Sequence, residues 1–320
     1  MMNRYDLLII GAGPSGLSCA IEAKKAGLSC LVVDKGSVVD AIRRFPVNLT
    51  FFSTPELLEI GGLPFVVSGF RPTRVDCIRY YQSAATYYQL RVQQGQEVVA
   101  LRKVPTGFEA VTNGSTYTAP HVVLATGYFD HPNPYDVPGS DLPHVLRYYL
   151  EPYAYAGRNV AVVGGKNSAV EIALDLFRNG SNVTLIHRGP SFSDGVKYWI
   201  LPDIENRIKS GEIKALFETR VKEIRPGSVL LEGRHPLEIP TDFVFVMIGY
   251  RPDTRLLDQL GVEIDQGTLA PTHNAETMET NVKGLYVAGS IAAGRFNNKI
   301  FIENGRLHGK LIVGSIANHR

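Results

Sequence analysis

A chain of 320 residues has the length of about two ordinary domains, and its 44% hydrophobic residues are enough for two cores. With 33 basic against 31 acidic residues the net charge is only +2, which argues against nucleic acid as a partner and leaves any anion to be held by local geometry. No apolar run approaches the ~18 residues of a membrane span, and the start MMNRYDLLIIGAG is too short for a signal peptide, so a cytoplasmic protein is expected.

The first predicted elements are a strand from Tyr5 (YDLLII), a turn GAGPSG, an apolar-periodic helix to Ala26 and a strand LSCLVVD ending at Asp34. Gly11, Gly13 and Gly16 fit G-x-G-x-x-G in that strand–turn–helix context. The first glycine permits the tight turn, the second lets backbone approach a pyrophosphate, and the third lets helix pack on strand. Asp34 stands 18 residues after Gly16, at the strand end, where a carboxylate accepts hydrogen bonds from ribose hydroxyls.

Next come short strands between Glu97 and Ala125, with Pro105-Thr106-Gly107 and Asn113-Gly114 between them, a meander signal. A second strand–turn–helix follows: strand Asn159 to Val163, turn GGKNSA, helix to about Arg178, an Asn179-Gly180 stop and strand Asn182 to His187. Gly11 to Asp34 and Gly164 to His187 are both 23 residues, so the two units share one register. Ala169 takes the last small position, and Lys166 replaces the middle glycine. Lys166 either offers the pyrophosphate a point charge or faces solvent without a role. At the position of Asp34 stand His187 and Arg188, where a guanidinium can hold a 2′-phosphate bidentately with His187 assisting. The first unit thus suits a free ribose and the second suits NADPH. A second meander follows, and then GLYVAGSIAAG, Gly284 to Gly294, leads to the closing helix.

The glycine fingerprint, LATG at Leu124 to Gly127, the second fingerprint, IGYRPDT at Ile248 to Thr254 and LYVAGS at Leu285 to Ser290 come in one order. Together they resemble the low-molecular-weight thioredoxin reductase-like flavoproteins over essentially the whole chain. Within that group, GGKNSA and IFIENGRLHG, Ile300 to Gly309, look most like the bacillithiol disulfide reductases of the YpdA type. The resemblance implies an α/β protein of two Rossmann-like, three-layer ββα domains: a discontinuous FAD domain, 1–130 and 249–320, and an inserted NADPH domain, 131–248. It implies a homodimer, and FAD contacts at Gly11, Gly13, Pro14, Ser15, Gly16, Asp34, Lys35, Val98, Ala125, Thr126, Gly127, Gly289, Ser290, Lys299 and Ile300. NADPH contacts are implied at Gly164, Gly165, Lys166, Asn167, Ser168, Ala169, His187, Arg188, Ile248 and Gly249.

The departures shape the expected chemistry. Thioredoxin reductases carry C-x-x-C before the second fingerprint, where this chain reads RYYLEPYAYAGRNV. The three cysteines, Cys19, Cys30 and Cys77, have no zinc or redox-pair spacing, so no metal and no internal dithiol is expected. Many YpdA-type sequences place a cysteine in the first fingerprint, where this chain has Ser15. The family's acidic residue at the ribityl chain is Ser290 here. Cys19 and His308 are the remaining catalytic candidates, though a buried apolar thiol and a structural histidine describe them as well; Cys30 is expected in the core. Glu303 lies near the flavin side, and the aromatic runs YYLEPYAY and NLTFF either stack on flavin or pack a core.

The expected activity is hydride transfer from NADPH to FAD, then reduction of a low-molecular-weight disulfide. Transfer to a small carrier, as in ferredoxin or flavodoxin–NADP reductases, a flavin monooxygenase, and a non-catalytic redox sensor are the alternatives.

Overall fold

The computed structural model describes residues 3–296 and 299–318. The chain divides into two compact units, one of residues 1–131 and 250–320 and the other of residues 132–249.

The first unit is built on a five-stranded parallel sheet in the order Leu285–Val287, His121–Leu124, Leu7–Ile10, Cys30–Val33, Val92–Gln93. Leu7–Ile10 is an unbroken apolar run with every residue buried, as a parallel strand covered on both faces requires. One core joins this sheet to Leu17 and Ile21 of the helix Pro14–Lys25, to Ile312 and Ile316 of the helix His308–Asn318, and to Phe108 and Tyr117 of the meander. Helices, parallel sheet and meander make the three layers. Asn3–Arg4 adds a parallel edge strand to the meander beside Thr116–Ala119, a pairing with no signal in the sequence.

The second unit repeats the plan. Its parallel sheet runs Lys214–Leu216, Asn182–Ile186, Asn159–Val163, Phe243–Val246, Val145–Leu146, and a three-stranded antiparallel sheet, Thr219–Arg225, Ser228–Gly233, Glu238–Pro240, accompanies it. The helix Asn167–Arg178 buries Ala169, Val170, Ile172, Ala173, Leu174 and Leu176.

The expected α/β class with two dinucleotide-binding units holds, with corrections. His121–Leu124 leaves the meander to lie beside Leu7–Ile10, and Phe243–Val246 does the same beside Asn159–Val163. Both end in three fully buried apolar residues that a half-exposed meander has no room for. Cys30 is only half-buried: it opens its strand at the sheet's end, with its thiol 3.7 Å from the Ala20 carbonyl.

Candidate functional site: two glycine turns in register

In the first unit Gly11 has φ +112°, and a Cβ there would run into the Ala125 carbonyl; a Cβ on Gly16 would strike the carbonyl of Gly11. Only glycine fits at either place. The strand ends that carry LATG and AGS meet at this turn: the Ala125 N–H donates to the Ile10 carbonyl at 2.8 Å and the Ala288 N–H to the Leu124 carbonyl at 2.9 Å. A Cβ on Gly127 would sit 3.7 Å from Ser290 Oγ, and one on Gly289 would lie 2.6 Å from Ser15 Oγ. Residues 11–16, Ala125, Thr126, Gly127, Gly289 and Ser290 are therefore gathered at the N-terminus of the helix Pro14–Lys25. A Cβ on Gly13, the N-cap of the helix, would meet nothing within 4 Å, so there is open space beside the turn at that residue.

Asp34 stands at the end of its strand with both oxygens engaged: Oδ2 accepts the Ala12 N–H at 2.6 Å and Oδ1 the Gly36 N–H at 2.7 Å. Burial pushes its carboxyl above the ordinary range, against the pull of those two donors. Each oxygen keeps a second lone pair for a hydroxyl donor. Lys35 is committed elsewhere, 3.0 Å from Asp130, which also pairs with Arg44. Val98 lies in the core of the meander opposite Thr112. Lys299 is exposed with Nζ 4.4 Å above the Phe296 ring, and Ile300 Cγ2 closes on Gly305 beside Ser15.

The second turn reproduces the backbone and changes the chemistry. Gly164 has φ +153°, and a Cβ on it would come within 2.5 Å of the Met247 carbonyl, so Met247 is the counterpart of Ala125. Lys166 is the N-cap of the helix Asn167–Arg178 with φ −117° and ψ −175°. That is extended backbone any residue adopts, which is why a lysine stands there without strain. Ala169 is fully buried and Ser168 exposed.

A Cβ on Gly165 would collide with the His187 ring, so Gly165 is glycine because the imidazole lies over it. Burial, and then Arg188, lower the proton affinity of His187. The half-buried His187 ring lies over the turn, and Arg188 beside it is exposed. Ile248 and Gly249 follow Met247 at this turn as Thr126 and Gly127 follow Ala125 at the first, and Asn133 ties them: its Nδ2 donates to the Ile248 carbonyl at 3.0 Å and its N–H donates to the Gly249 carbonyl at 3.0 Å.

Sequence reasoning missed the segments that return to each turn. The Val39 N–H donates to the Ala12 carbonyl at 3.0 Å, with Val39 itself at φ +52°, and the Ser193 N–H donates to the Gly165 carbonyl at 3.0 Å. The only signal was position, five and six residues beyond Asp34 and His187.

A family model described as pyridine nucleotide-disulphide oxidoreductase matches residues 8–289. The chain belongs to that family. This pyridine nucleotide-disulphide oxidoreductase is 44% identical over 319 residues to bacilliredoxin reductase Bdr of Bacillus subtilis, covering 99% of this chain and 98% of the relative. It matches the solved structure of bacillithiol disulfide reductase Bdr (YpdA) from Bacillus cereus with a TM-score of 0.97 at 40% identity, over 99% and 100% of the two chains. A ferredoxin–NADP reductase of Ignicoccus hospitalis is 27% identical over 300 residues, 89% of this chain and 90% of the relative. The resemblance to the YpdA-type reductases drawn from the motifs is thus borne out, and the cofactors are FAD and NADPH.

The first turn fits FAD: Gly13 leaves an open approach at a helix N-terminus with no side-chain cap, where the first N–H groups have no partner within the helix, and Asp34 presents lone pairs. The oxidoreductase offers no ready thiolate among the described residues. Cys19 is fully buried with its thiol pushed up to about 12 by burial, and burial does the same to Cys77. His308 is buried, accepts the Gly289 N–H on Nδ1 at 3.2 Å, and is held down to about 4, mainly by burial and then by His273. Glu303 pairs with Ser53. Tyr149 and Tyr155 pack in a core of the second unit, and Phe51 packs on that of the first. Among the described residues no group of acidic, histidine or cysteine side chains has the makings of a metal site, and no helix is long and apolar enough to cross a membrane.

Proposed function

We propose that this flavoprotein reduces a low-molecular-weight disulfide of the bacillithiol disulfide type at the expense of NADPH. The observation that carries the reading is the pair of turns built alike and charged oppositely, Asp34 on the first and Arg188 beside His187 on the second. On this reading residues 1–130 and 249–320 hold FAD and residues 131–248 hold NADPH. FAD, when bound, supplies two-electron chemistry, taking hydride from NADPH and passing electrons to the acceptor. The chain's residues bind and orient. The open N-terminus at Gly13, Pro14 and Ser15 receives the pyrophosphate of FAD, Asp34 its ribose, and Ser290 a hydroxyl of the ribityl chain without charge assistance. The turn from Gly164 to Ala169 receives the pyrophosphate of NADPH and Arg188 its 2′-phosphate. The similarity to the reductases of Bacillus subtilis and Bacillus cereus supports the disulfide acceptor.

A second reading, delivery of electrons to a small carrier protein, is favoured by the burial of the Cys19 thiol and by the likeness to the Ignicoccus ferredoxin–NADP reductase. The deciding experiment is anaerobic: the yellow protein is reduced with one equivalent of NADPH and mixed rapidly with bacillithiol disulfide. Fast return of the oxidised flavin absorbance is expected. A flavin that stays reduced until ferredoxin or flavodoxin is added would transfer the assignment to the carrier reductase. The same reading takes the protein as a cytoplasmic homodimer, and light scattering of the eluted holoprotein tests the dimer.

A further inference from the structure

Asn167, the third residue after Gly164, opens the helix of the second turn, and its carboxamide faces the protein rather than a ligand. Its Nδ2 donates to the Gly195 carbonyl at 2.9 Å, and its Oδ1 accepts the Lys197 N–H at 2.8 Å. Both ends of the amide are thereby used on one segment of backbone. That segment leaves the sheet at His187 and Arg188, is tied at its start by the Glu218 N–H to the Gly189 carbonyl at 2.9 Å, and touches the turn where the Ser193 N–H meets the Gly165 carbonyl. It ends at Lys197, whose ammonium pairs with Glu171 one helical turn beyond Asn167, and whose carbonyl accepts the Ile200 and Leu201 N–H groups. Residues 189–197 thus form a strap over the second turn, closed at both ends, with Arg188 at its root.

The first unit is built differently at the matching place. Pro14 stands there, with no side-chain donor or acceptor, and the return segment is shorter and held at the turn by the Val39 N–H. The second unit needs the extra clamp because its strap is longer and carries exposed Ser191, Asp194 and Gly195. Ordering such a segment costs backbone entropy at every residue, which the two carboxamide bonds help offset.

We propose that Asn167 is a positioning residue for the nucleotide site: it binds the 189–197 strap, and the strap sets the place of Arg188 and His187 over the turn. This inference rests on the reading of the second turn as the NADPH site. It refines the expected direct contact of Asn167 with the cofactor, leaving that contact to its backbone N–H.

The chain's single tryptophan, Trp199, sits just beyond the strap, with the Lys197 ammonium 5.6 Å from its ring centre. It reports on the strap without any turnover. In the FAD-bound protein, Asn167→Ala is expected to raise the dissociation constant for NADP+ about tenfold, the loss of two modest hydrogen bonds, and to make Trp199 more accessible to acrylamide before nucleotide is added. Flavin content should not change. Ser193→Pro, which removes the other tie to the turn and leaves Asn167 in place, should move both readouts the same way. Weaker NADP+ binding in Asn167→Ala with Trp199 unaltered would mean direct contact and overturn the inference; so would a loosened Trp199 with unaltered NADP+ affinity. Wild-type protein that binds no NADP+ would sink the reading of the turn itself, and the inference with it.

Discussion

The first and second turns differ less in backbone than in what stands beside them. Gly11 and Gly164 both have positive φ and both abut a carbonyl from the neighbouring strand, Ala125 in one and Met247 in the other. Each second residue has its carbonyl capped by a returning N–H, from Val39 or Ser193. The residue 23 positions after the first glycine then separates them. Asp34 takes the Ala12 N–H beside that residue's methyl, whereas the His187 ring occupies the space a Cβ on Gly165 would take. A glycine turn of this kind is a backbone device, and what distinguishes the two is the side chains at the adjoining strand end, Asp34 in one and His187 with Arg188 in the other.

The largest effect is expected where the turns differ in tightness. Gly16→Ala drives a methyl into the Gly11 carbonyl and should cost roughly 1–3 kcal/mol or more, seen as lost flavin and a lower melting temperature. Ala169→Gly at the matching place should cost only about 1 kcal/mol, a helix-propensity effect. Equal losses would show that the two third positions do not differ in tightness.

Next comes the opposition of charge. Asp34→Ala leaves two backbone donors without their carboxylate, worth about 1.5–3 kcal/mol, and should weaken FAD retention while NADP+ binding is unchanged. Arg188→Ala should raise the dissociation constant for NADPH roughly 10–100-fold, leave NADH alone and spare FAD. Titration of each variant with both nucleotides tests the pair, and either variant disturbing both cofactors would break the comparison.

Lys166→Gly asks what a middle-position side chain does. An exposed ammonium is worth about 0.3–1 kcal/mol to an anion at a helix N-terminus, so a two- to fivefold rise in the Michaelis constant for NADPH is expected. An unchanged constant would make Lys166 a bystander.

The smallest effect at neutral pH concerns His308, on the closing helix of the first unit. Its proton affinity falls from the usual 6.5 to about 4 on folding. Between those values the unfolded chain binds a proton that the folded one refuses, so its contribution is full above about pH 6.5 and is lost as pH falls towards 4. His308→Asn keeps an acceptor for the Gly289 N–H and removes the titration, so the melting temperature should fall less steeply with acid. An unchanged slope would assign acid sensitivity elsewhere.

Much of the site is legible in local sequence. Both glycine turns, the helix Asn167–Arg178 to its last residue and the strand Asn159–Val163 follow from spacing and apolar periodicity. The surroundings of two expected contact residues were not legible. Lys35 directly follows Asp34 in sequence, and the structure pairs its ammonium with Asp130, far along the chain. Val98 opens its strand with its side chain in the core and is paired with Thr112, a placement set by the sheet it enters.

The sequence by itself determined the duplicated unit, the glycines, and the exchange of an acid for a histidine–arginine pair, since all of these lie within about 25 consecutive residues and are governed by turn sterics and helix periodicity. Only the tertiary structure decided which carbonyl closes each turn, that Ser15 fits between Gly289 and Gly305, and that Asn167 holds a strap. Those contacts join residues through strand order and chain return, and no local pattern encodes which distant segment will arrive at a strand's end.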